Sequence, residues 1–599
     1  MSLFGALYLG NSGLHSSQNA LNTVAHNLSN VNTPGYVRQQ VSQSDTTYTT
    51  SSVSVSGKNN QIGDGVKYSE CRHVRDMFLD ETYREETGRQ NFYDVSYSAI
   101  LEIEDIMGEL GSPAFKDSVN NLWSAMQELS KDPSDTTNIS LLVQKSAIFM
   151  ENATSVYNSF KEYQDNLNSQ VKAAIKDINE IGQKIAQLNE QITRIEAGGV
   201  EHANDLRDSR DALLDKLATY GNISYKEETN SMVEVKFNGA DFVTGKTAYK
   251  MEVLTDDNTG YVTPYWKHYV TKKEGPDGGM VPDYSSAYVF DVTEDISSAA
   301  DTDIGRLRAL LLARGDHVAN YTDLTTDMAT KVKLDTLGIS ADSYNEAAGL
   351  KYYDDYISNS IIMNVEAEFD NIVHGIITKV NDVLAQACNP QSGYLCNADG
   401  SPMQIFEKIT GKPYDRVFLK DDEVERAKAE GAKLYQVYED GKPVPGNYWK
   451  YNEETPEDTF SLYNSANTQI NQKVLQTPAL LGFRREEDST DFNMGEALVA
   501  AFEDAQLYLN PNATQKSTYF NAYTDLASQV CNSGSVFKEL YEFEQLSLEQ
   551  VENERQTVIG VSSDEELEHM IMYQNAYNAA SRYINTINSM LDALMSMAS

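Results

Sequence analysis

Leucine recurs every seven residues at the start of the chain, at Leu7, Leu14, Leu21 and Leu28 with Leu3 a turn ahead. The same spacing returns in the last forty residues as Met570, Tyr577, Ile584 and Leu591, with Leu567 three residues before the first. Three residues beyond each of these positions stand Gly10, Ser17, Val24 and Val31 at one end and Tyr573, Ala580, Ile587 and Leu594 at the other. Each terminus therefore predicts one long helix with a single apolar edge. A helix from Leu3 to Val31 would run roughly 43 Å at ~1.5 Å per residue, too extended to bury that edge on itself. Its partner must be the other terminus, another copy of the chain, or both.

The first helix has a strong stop. Asn30 and Asn32 compete for backbone hydrogen bonds, Pro34 pushes Thr33 out of helical geometry, and Pro34-Gly35 suits the two central positions of a type II turn ahead of Tyr36. At the other end, Ser563 before Asp564, Glu565 and Glu566 reads as a capping box in which Glu566 reaches back, and the three carboxylates favour the helix dipole. A stop and a start fixed in this way would set the register between the terminal helices. Gly10, Ser17 and Ala580 are small enough to allow close helix approach.

Between the termini the pattern alternates. Residues 37–75 are rich in Thr, Ser, Val and Gly, and Ser52–Ser56 alternates as a strand should. Helix dominates from Arg75 to about residue 220, with a second seam of Val171, Ile178, Ile185 and Ile192 beside Ala174, Ile181, Leu188 and Ile195, ended by Gly198-Gly199. A shorter helix carrying Leu206, Leu213, Leu214 and Leu217 completes an αα-hairpin. Residues 223–303 read as a β-rich insertion, with alternation over Ser231–Phe237 and the hairpin dipeptide Asn238-Gly239. Helical pattern returns over 304–389, a second irregular or β insertion covers 390–489, and helix resumes over 490–560. The expected fold is mainly α with β-rich insertions. It is nested: a core domain of two coiled-coil halves, 1–36 and 561–599, outside a rod domain (37–222, 304–389, 490–560) that carries the insertions. Nesting predicts an elongated molecule with both termini at one end.

Composition narrows the function. A length of 599 residues allows several domains with ample core. Against 48 Lys and Arg stand 89 Asp and Glu, a formal charge of −41, which argues against nucleic acid or an anionic membrane as a partner. No apolar run approaches the ~18 residues of a membrane span, and no cleavable signal peptide is visible. Cys71, Cys388, Cys396 and Cys531 are too scattered for a disulfide framework or zinc site. Cys388 and Cys396 flank a turn and could pair across it, with two idle thiols as the default.

Enzyme motifs are weak. His15, His26, His73, His202, His268, His317, His374 and His569 form no His-Glu-x-x-His pair. Gly245-Lys246-Thr247 follows a predicted strand, yet Ala240 stands where a phosphate loop needs glycine. Asn397–Gly400 and Asp256–Asn258 lack the spaced acids of a calcium loop and read as turns. No catalytic, cofactor or metal residue is expected. Apart from structural roles, the remaining functional reading is an enzymatic or ligand-binding insert carried on a helical scaffold.

Several strings resemble those of flagellar axial proteins, the rod, hook and hook-associated components. They are Asn27–Tyr36, then Arg75-Asp76 with Phe78-Leu79 and Tyr83-Arg84. Next come Leu188–Ile192 with Asn204–Asp211, and finally Glu554–Gln556 followed by Gly560–Glu566, Tyr573–Tyr577 and Met590–Leu594. Ile559 departs from that family's usual small residue, and 390–489 matches none of its motifs. The length and the central helices resemble the long hook-associated members more than the short hook and rod proteins. The resemblance implies a non-enzymatic subunit at the hook–filament junction, with another axial component such as a hook-type subunit as the alternative. It implies termini lining a central tube and polymerisation as a ring through the terminal helices. Hook subunits would lie on one side and a further junction protein or the filament on the other. It also implies type III export to the extracellular flagellum without a cleaved signal, and an export chaperone on the C-terminal helix.

Overall fold

The computed structural model describes residues 3–33, 35–53, 59–108, 114–198, 202–274, 279–324, 346–439, 442–456, 458–486, 489–504 and 506–598. Helix α1 (Leu3–Ser29) opens the chain and α13 (Ser563–Ala598) closes it. They pack antiparallel, with Gly10 opposite Ile584 and Gly13 opposite Ala580. Behind α1 the chain runs through β1 (Gln39–Asp45), β2 (Tyr48–Val53), β3 (Asn59–Gly63) and β4 (Val66–His73). Strand β1 pairs antiparallel with β4, and β2 with β3, making one long hairpin against which α1 lies. Of the alternating Ser52–Ser56 string, residues 54–56 lie outside the described residues.

The helical body starts at α2 (Met77–Ile106), capped by the Asp76 carboxylate, which accepts from the Phe78 and Leu79 amides at 2.9 and 3.4 Å. It continues through α3 (Ala114–Lys131), the 61-residue α4 (Thr136–Glu196) and α5 (Asn204–Ala218). At ~1.5 Å per residue α4 runs roughly 90 Å and forms the spine. Farther along come α6 (Arg306–Arg314), α7 (Glu346–Tyr352), a π-helical turn at Tyr353–Ser358 and α8 (Ile361–Ala387). Then follow α9 (Asp421–Ala429), α10 (Gln472–Gln476), α11 (Phe492–Glu503) and α12 (Tyr519–Ile559), the last of which packs along α2.

Two apolar cores divide the spine. The first gathers α3, the N-terminal half of α4, α8, α11 and α12; at its centre the Phe115 ring lies 4.7, 5.0 and 5.6 Å from the rings of Phe369, Tyr523 and Phe149. The second joins the C-terminal half of α4 to α5, α6 and the first insertion. That insertion holds a four-stranded antiparallel meander of β5 (Ile223–Glu227), β6 (Val233–Phe237), β7 (Ala240–Thr244) and β8 (Thr247–Ala248). The pair β9 (Met251–Thr255) and β10 (Val262–Trp266) and the pair β11 (Thr271–Glu274) and β12 (Met280–Asp283) complete it. Asn238 and Gly239, at φ 49° and 77°, make the tight β6–β7 turn that their dipeptide predicts. Gly182 on α4 leaves room for the Phe242 ring, since a Cβ there would fall 2.3 Å from it.

Asparagines dock strands onto helices. Asn168, Asn179 and Asn189 on α4 each pair their amide with both polar groups of a strand end. Asn179 donates to the Met251 carbonyl and accepts from the Met251 amide, both at 2.9 Å. Asn168 does the same with Gly260 and Val262, and Asn189 with Val233. Asn381 on α8 treats Phe406 alike, at 2.7 and 3.2 Å. Each closes a strand edge that would otherwise bury unpaired backbone. A straight helix drifts ~20° per heptad, so over four heptads the second seam departs from strict sevens. Val171, Ala174, Ile178, Ile181, Ile185 and Ile192 are buried, but Asn189 takes the place next to Leu188 and Ile195 is 44% exposed.

The second insertion holds β13 (Phe406–Lys408) paired with β17 (Thr468–Ile470), and a sheet ordered β14 (Tyr414–Phe418), β16 (Lys442–Tyr451), β15 (Leu434–Glu439). A short hairpin of β18 (Arg484–Glu486) and β19 (Ser489–Thr490) follows. Cys388 and Cys396 are disulfide-bonded across the Asn389–Tyr394 bridge, in place of the two idle thiols taken as the default. The Gly245-Lys246-Thr247 string is the β7–β8 turn, with Lys246 near Glu190, and Asp256 folds back on the Asn258 and Thr259 amides as an Asx turn. Among the described residues no helix is long and apolar enough to cross a membrane.

Candidate functional site

The two terminal helices form the site, and their contact line differs in detail from the heptad leucines. Buried along one row of α1 are Ala6, Gly10, Ser17, Ala20, Val24 and Asn27, at alternating spacings near three and four, with Gly13 in the same row and buried Ser16 beside it. Leu3, Leu7, Leu14, Leu21 and Leu28 are half-buried beside this row, and Val31 is exposed beyond the helix end. On α13, Ile587 is buried and Met570, Tyr573, Tyr577, Ile584 and Leu591 are half-buried, whereas Leu567 and Leu594 are exposed. Small side chains on α1 let the backbones approach, so the bulky leucines flank the closest line. A Cβ on Gly10 would lie 2.8 Å from Ile584 Cγ1 and 3.0 Å from Tyr583 Cδ1.

The stop after α1 is a hydrogen-bonded junction. Asn30 returns its amide to the His26 and Asn27 carbonyls, Thr33 Oγ1 donates to Asn30 Oδ1 at 3.1 Å, and the Tyr36 amide donates to the Thr33 carbonyl at 3.2 Å. With Gly35 at φ 77° this matches the second central position of a type II turn; Pro34 lies outside the described residues and Asn32 is exposed. The Tyr36 hydroxyl donates to Asn27 Oδ1 at 2.8 Å and sits 3.0 Å from His26 Nδ1. Asn27 in turn exchanges hydrogen bonds with the backbone of Gln39 at 2.9 and 3.1 Å. The turn is thus clamped to both the helix it ends and the strand it begins.

From here the chain ties the terminal pair to the helical body. The Val37 amide donates to Asp208 on α5, the Arg38 amide to the Ile559 carbonyl at the end of α12, and the Arg38 guanidinium to Glu565 on α13 at 2.8 Å. The last helix begins with Ser562 as its cap, its Oγ accepting from the Glu565 amide at 3.4 Å. The cap is therefore one residue earlier than the Ser563 reading, and Glu565 is free to face Arg38 because it does not reach back. Glu566 is 2% exposed, turned into the protein.

Below the junction lies a buried charge knot. Arg555 on α12 donates from Nε to Asp80 and from a terminal nitrogen to Asp215, at 2.8 and 2.7 Å, with its plane 4.3 Å from the Tyr83 ring. Arg84 also donates to Asp215, at 2.7 Å, and Arg75 pairs with Asp80 and Asp211. Three guanidiniums, Arg75 just before α2, Arg84 on α2 and Arg555 on α12, thus meet three carboxylates from α2 and α5. Burial opposes the Arg555 charge, but Asp215 and then Asp80 outweigh it and hold the group above its ordinary value. Next to the knot His73 Nε2 lies 3.5 Å from Asp208 Oδ1. Burial, then Arg75, pushes His73 down to about 3, and burial pushes Asp208 up to about 7. Near neutrality the imidazole is uncharged, so that contact is dipolar and not an ion pair.

The strings at 75–84, 204–211 and 554–566, separate in sequence, meet here. Asp215 and Arg38 lie outside those strings, because a lone Asp on a helix and a lone Arg after a turn carry no local signal. Outside the closed seam the terminal pair leaves large apolar side chains exposed, among them Phe4 and Tyr8 on α1, 73% and 62% exposed, and Ile571, Met572, Met595 and Met597 at several points around α13. Among the described residues no group of three or more His, Cys, Asp or Glu is arranged to hold a metal ion.

Comparison with known proteins agrees with this layout. The family described as flagellar hook-associated protein FlgK helical domain matches residues 100–393, flagella basal body rod protein matches 7–36, and the flagellar basal body rod FlgEFG protein C-terminal family matches 558–597. Flagellar hook-associated protein 1 of Bacillus subtilis is 23% identical over 99% of this chain and 98% of its own length. The protein of that name from Escherichia coli is 22% identical over 98% of each. The solved flagellar hook junction protein FlgK from Burkholderia pseudomallei is 11% identical, covers 80% of this chain and 100% of its own, and superposes with a TM-score of 0.49. With rod-family sequences on both terminal helices, the helical domain between them and relatives aligned over nearly the whole length, the chain belongs to the family of flagellar hook-associated protein 1.

Proposed function

We propose that this structural protein joins the flagellar hook to the filament outside the cell, polymerising as a ring through its terminal helices. Hook subunits would lie on one side and a further junction protein or the filament on the other. The observation that carries this reading is the terminal pair itself: one seam closed within the chain on small residues, and large apolar side chains left exposed outside it. Solvated Phe4, Tyr8, Ile571 and Met597 cost free energy that packing against the next subunit would recover. Leu3, Leu7, Leu14, Leu21 and Leu28, half-buried beside the seam, would complete their burial in that contact, as would the exposed Leu567 and Leu594.

The knot around Arg555 and the Arg38–Glu565 pair would hold the terminal pair at a fixed angle to the body, so that every subunit enters the wall in one orientation. Before assembly, an export chaperone would cover the exposed apolar side chains of α13. Left uncovered, they are an aggregation hazard, which favours a companion for the exported chain.

The test is motility and flagellar morphology in a deletion strain, complemented by the full chain and by a form lacking residues 1–36. Hooks without filaments, flagellin lost to the medium and rescue by the full chain alone are the expected results. Filaments that persist in the deletion strain would refute the junction role.

A further inference from the structure

The second insertion carries a surface trough that the assembly role does not use. Two hollows of about 630 and 680 Å³ lie on either side of the Asn397–Asp399 loop and share Asn471 and Lys473 in their walls. Each is within the ~300–1,000 Å³ typical of small-ligand sites. Together they make one elongated site with a low ridge.

The ridge is stiff. The Cys388–Cys396 disulfide closes the chain just before it, Asn397 Nδ2 donates to the Pro402 carbonyl at 3.1 Å, and the Ser401 amide donates to Asp399 Oδ1 at 2.9 Å. Asn471 Nδ2 ties the opposite wall to the Gln404 carbonyl at 3.1 Å. Walls held in this way lose little entropy when a ligand arrives.

The lining chemistry selects the ligand. In a chain of charge −41, the walls of one hollow balance Asp399, Glu407 and Asp415 against Lys412, Arg416 and Lys473. The Lys412 and Lys473 ammonium groups have no ion-pair partner among the described residues, so their donors are available. A balanced wall favours neither a polyanion nor a polycation. It offers interleaved donors and acceptors beside two aromatic side chains, the buried Tyr414 and the half-buried Trp449, whose buried indole N–H makes no hydrogen bond among the described residues. Amides, carboxylates and ammonium groups suit vicinal hydroxyls, and an amphipathic aromatic suits the C–H face of a sugar ring. We propose that this trough binds a neutral polysaccharide, lying along the hollows with one ring against Trp449. The insertion would then give the flagellar joint an adhesive face, away from the terminal pair.

The experiment is calorimetric titration of the full chain with the hexaoses of N-acetylglucosamine, mannose and glucose, with tryptophan fluorescence alongside. Saturable binding of at least one is expected, weakened about tenfold or more by Trp449→Ala, the upper range for losing an aromatic contact. Lys473→Ala, on an exposed side chain that leaves the core intact, should weaken it as well. Strand β14 is an edge beside the trough, so a β-forming peptide is the rival occupant. Failure of all three hexaoses to bind, binding indifferent to both substitutions, or a peptide that binds there and that no hexaose displaces would each overturn the proposal.

Discussion

Gly10 of α1 faces Ile584 of α13 so closely that a Cβ would come within 2.8 Å of Ile584 Cγ1, whereas at Gly13 the nearest atom, Ala580 Cβ, is 3.8 Å away. Both glycines are inside a helix, where alanine is intrinsically better by about 0.5–1 kcal/mol. Gly13→Ala should therefore be neutral or slightly stabilising. Gly10→Ala should open the pair and reduce filament formation, and Gly10→Leu should abolish it. Swimming in complemented deletion cells is the readout, and equal behaviour of the two alanine variants would show that the close approach has no consequence.

Arg555 holds two carboxylates from different helices. Removing it leaves Asp80 with Arg75 and Asp215 with Arg84 in a largely buried site, so the loss should fall below the ~3–5 kcal/mol of a buried charge left with no partner. Urea denaturation of Arg555→Ala should show this loss. Arg555→Lys, a point charge without the planar fork, should recover only part of it.

The asparagines of α4 invite a different substitution. Asn179→Leu keeps an approximate volume and adds apolar surface, yet strands the amide and carbonyl of Met251. At about 1–3 kcal/mol for each unpaired buried group, the variant should be clearly destabilised in thermal unfolding. Leucine at exposed Lys176 on the same helix should change little.

Buried acids give the protein an unusual pH response. Burial pushes Asp208 and Glu368 up to about 7 and Glu366 to about 8, and burial with a shared proton from Glu86 takes Glu544 to about 8. An acid raised above its unfolded value of ~4 binds its proton more tightly when folded, so its stabilisation is complete below pH ~4 and is lost as pH climbs to the folded value. His317 adds to the trend. Although burial opposes its charge, Asp323 and Asp316 raise it to about 10, and its stabilisation fades above its unfolded value of ~6.5. His73, lowered to about 3, works the other way, but only below ~6.5. Between pH ~6.5 and 8 the loss is unopposed, so Tm should fall across that range. Glu366→Gln, which keeps an oxygen for the Ala319 amide, should flatten the slope.

The terminal pair stands apart from the two apolar cores of the body, and its seam is built largely on small side chains. Each enclosed large side chain contributes about 1.5–3 kcal/mol, against an ordering cost of about 1–2 kcal/mol per residue. In the free chain both ends should therefore be lost first to limited proteolysis, with the body from Met77 to about residue 555 persisting as one band. Ends as resistant as the body would contradict this balance.

The sequence by itself determined the long helices, the stop at Asn30–Tyr36 and the mainly helical character with small β elements, because periodicity, turn residues and caps act over a few neighbours. Only the tertiary structure decided that the close seam runs along Ala6, Gly10 and Ser17 and not along the leucines, since the depth of helix approach depends on both partners. It also moved the last cap to Ser562, paired Cys388 with Cys396, and brought Arg75, Arg84 and Arg555 to Asp80, Asp211 and Asp215. Those charges lie up to 480 residues apart in the chain, as Arg75 and Arg555 do, so no local pattern could show that they meet. Their pairing exists only once α2, α5 and α12 have packed, when burial removes the water that would otherwise have solvated each charge alone.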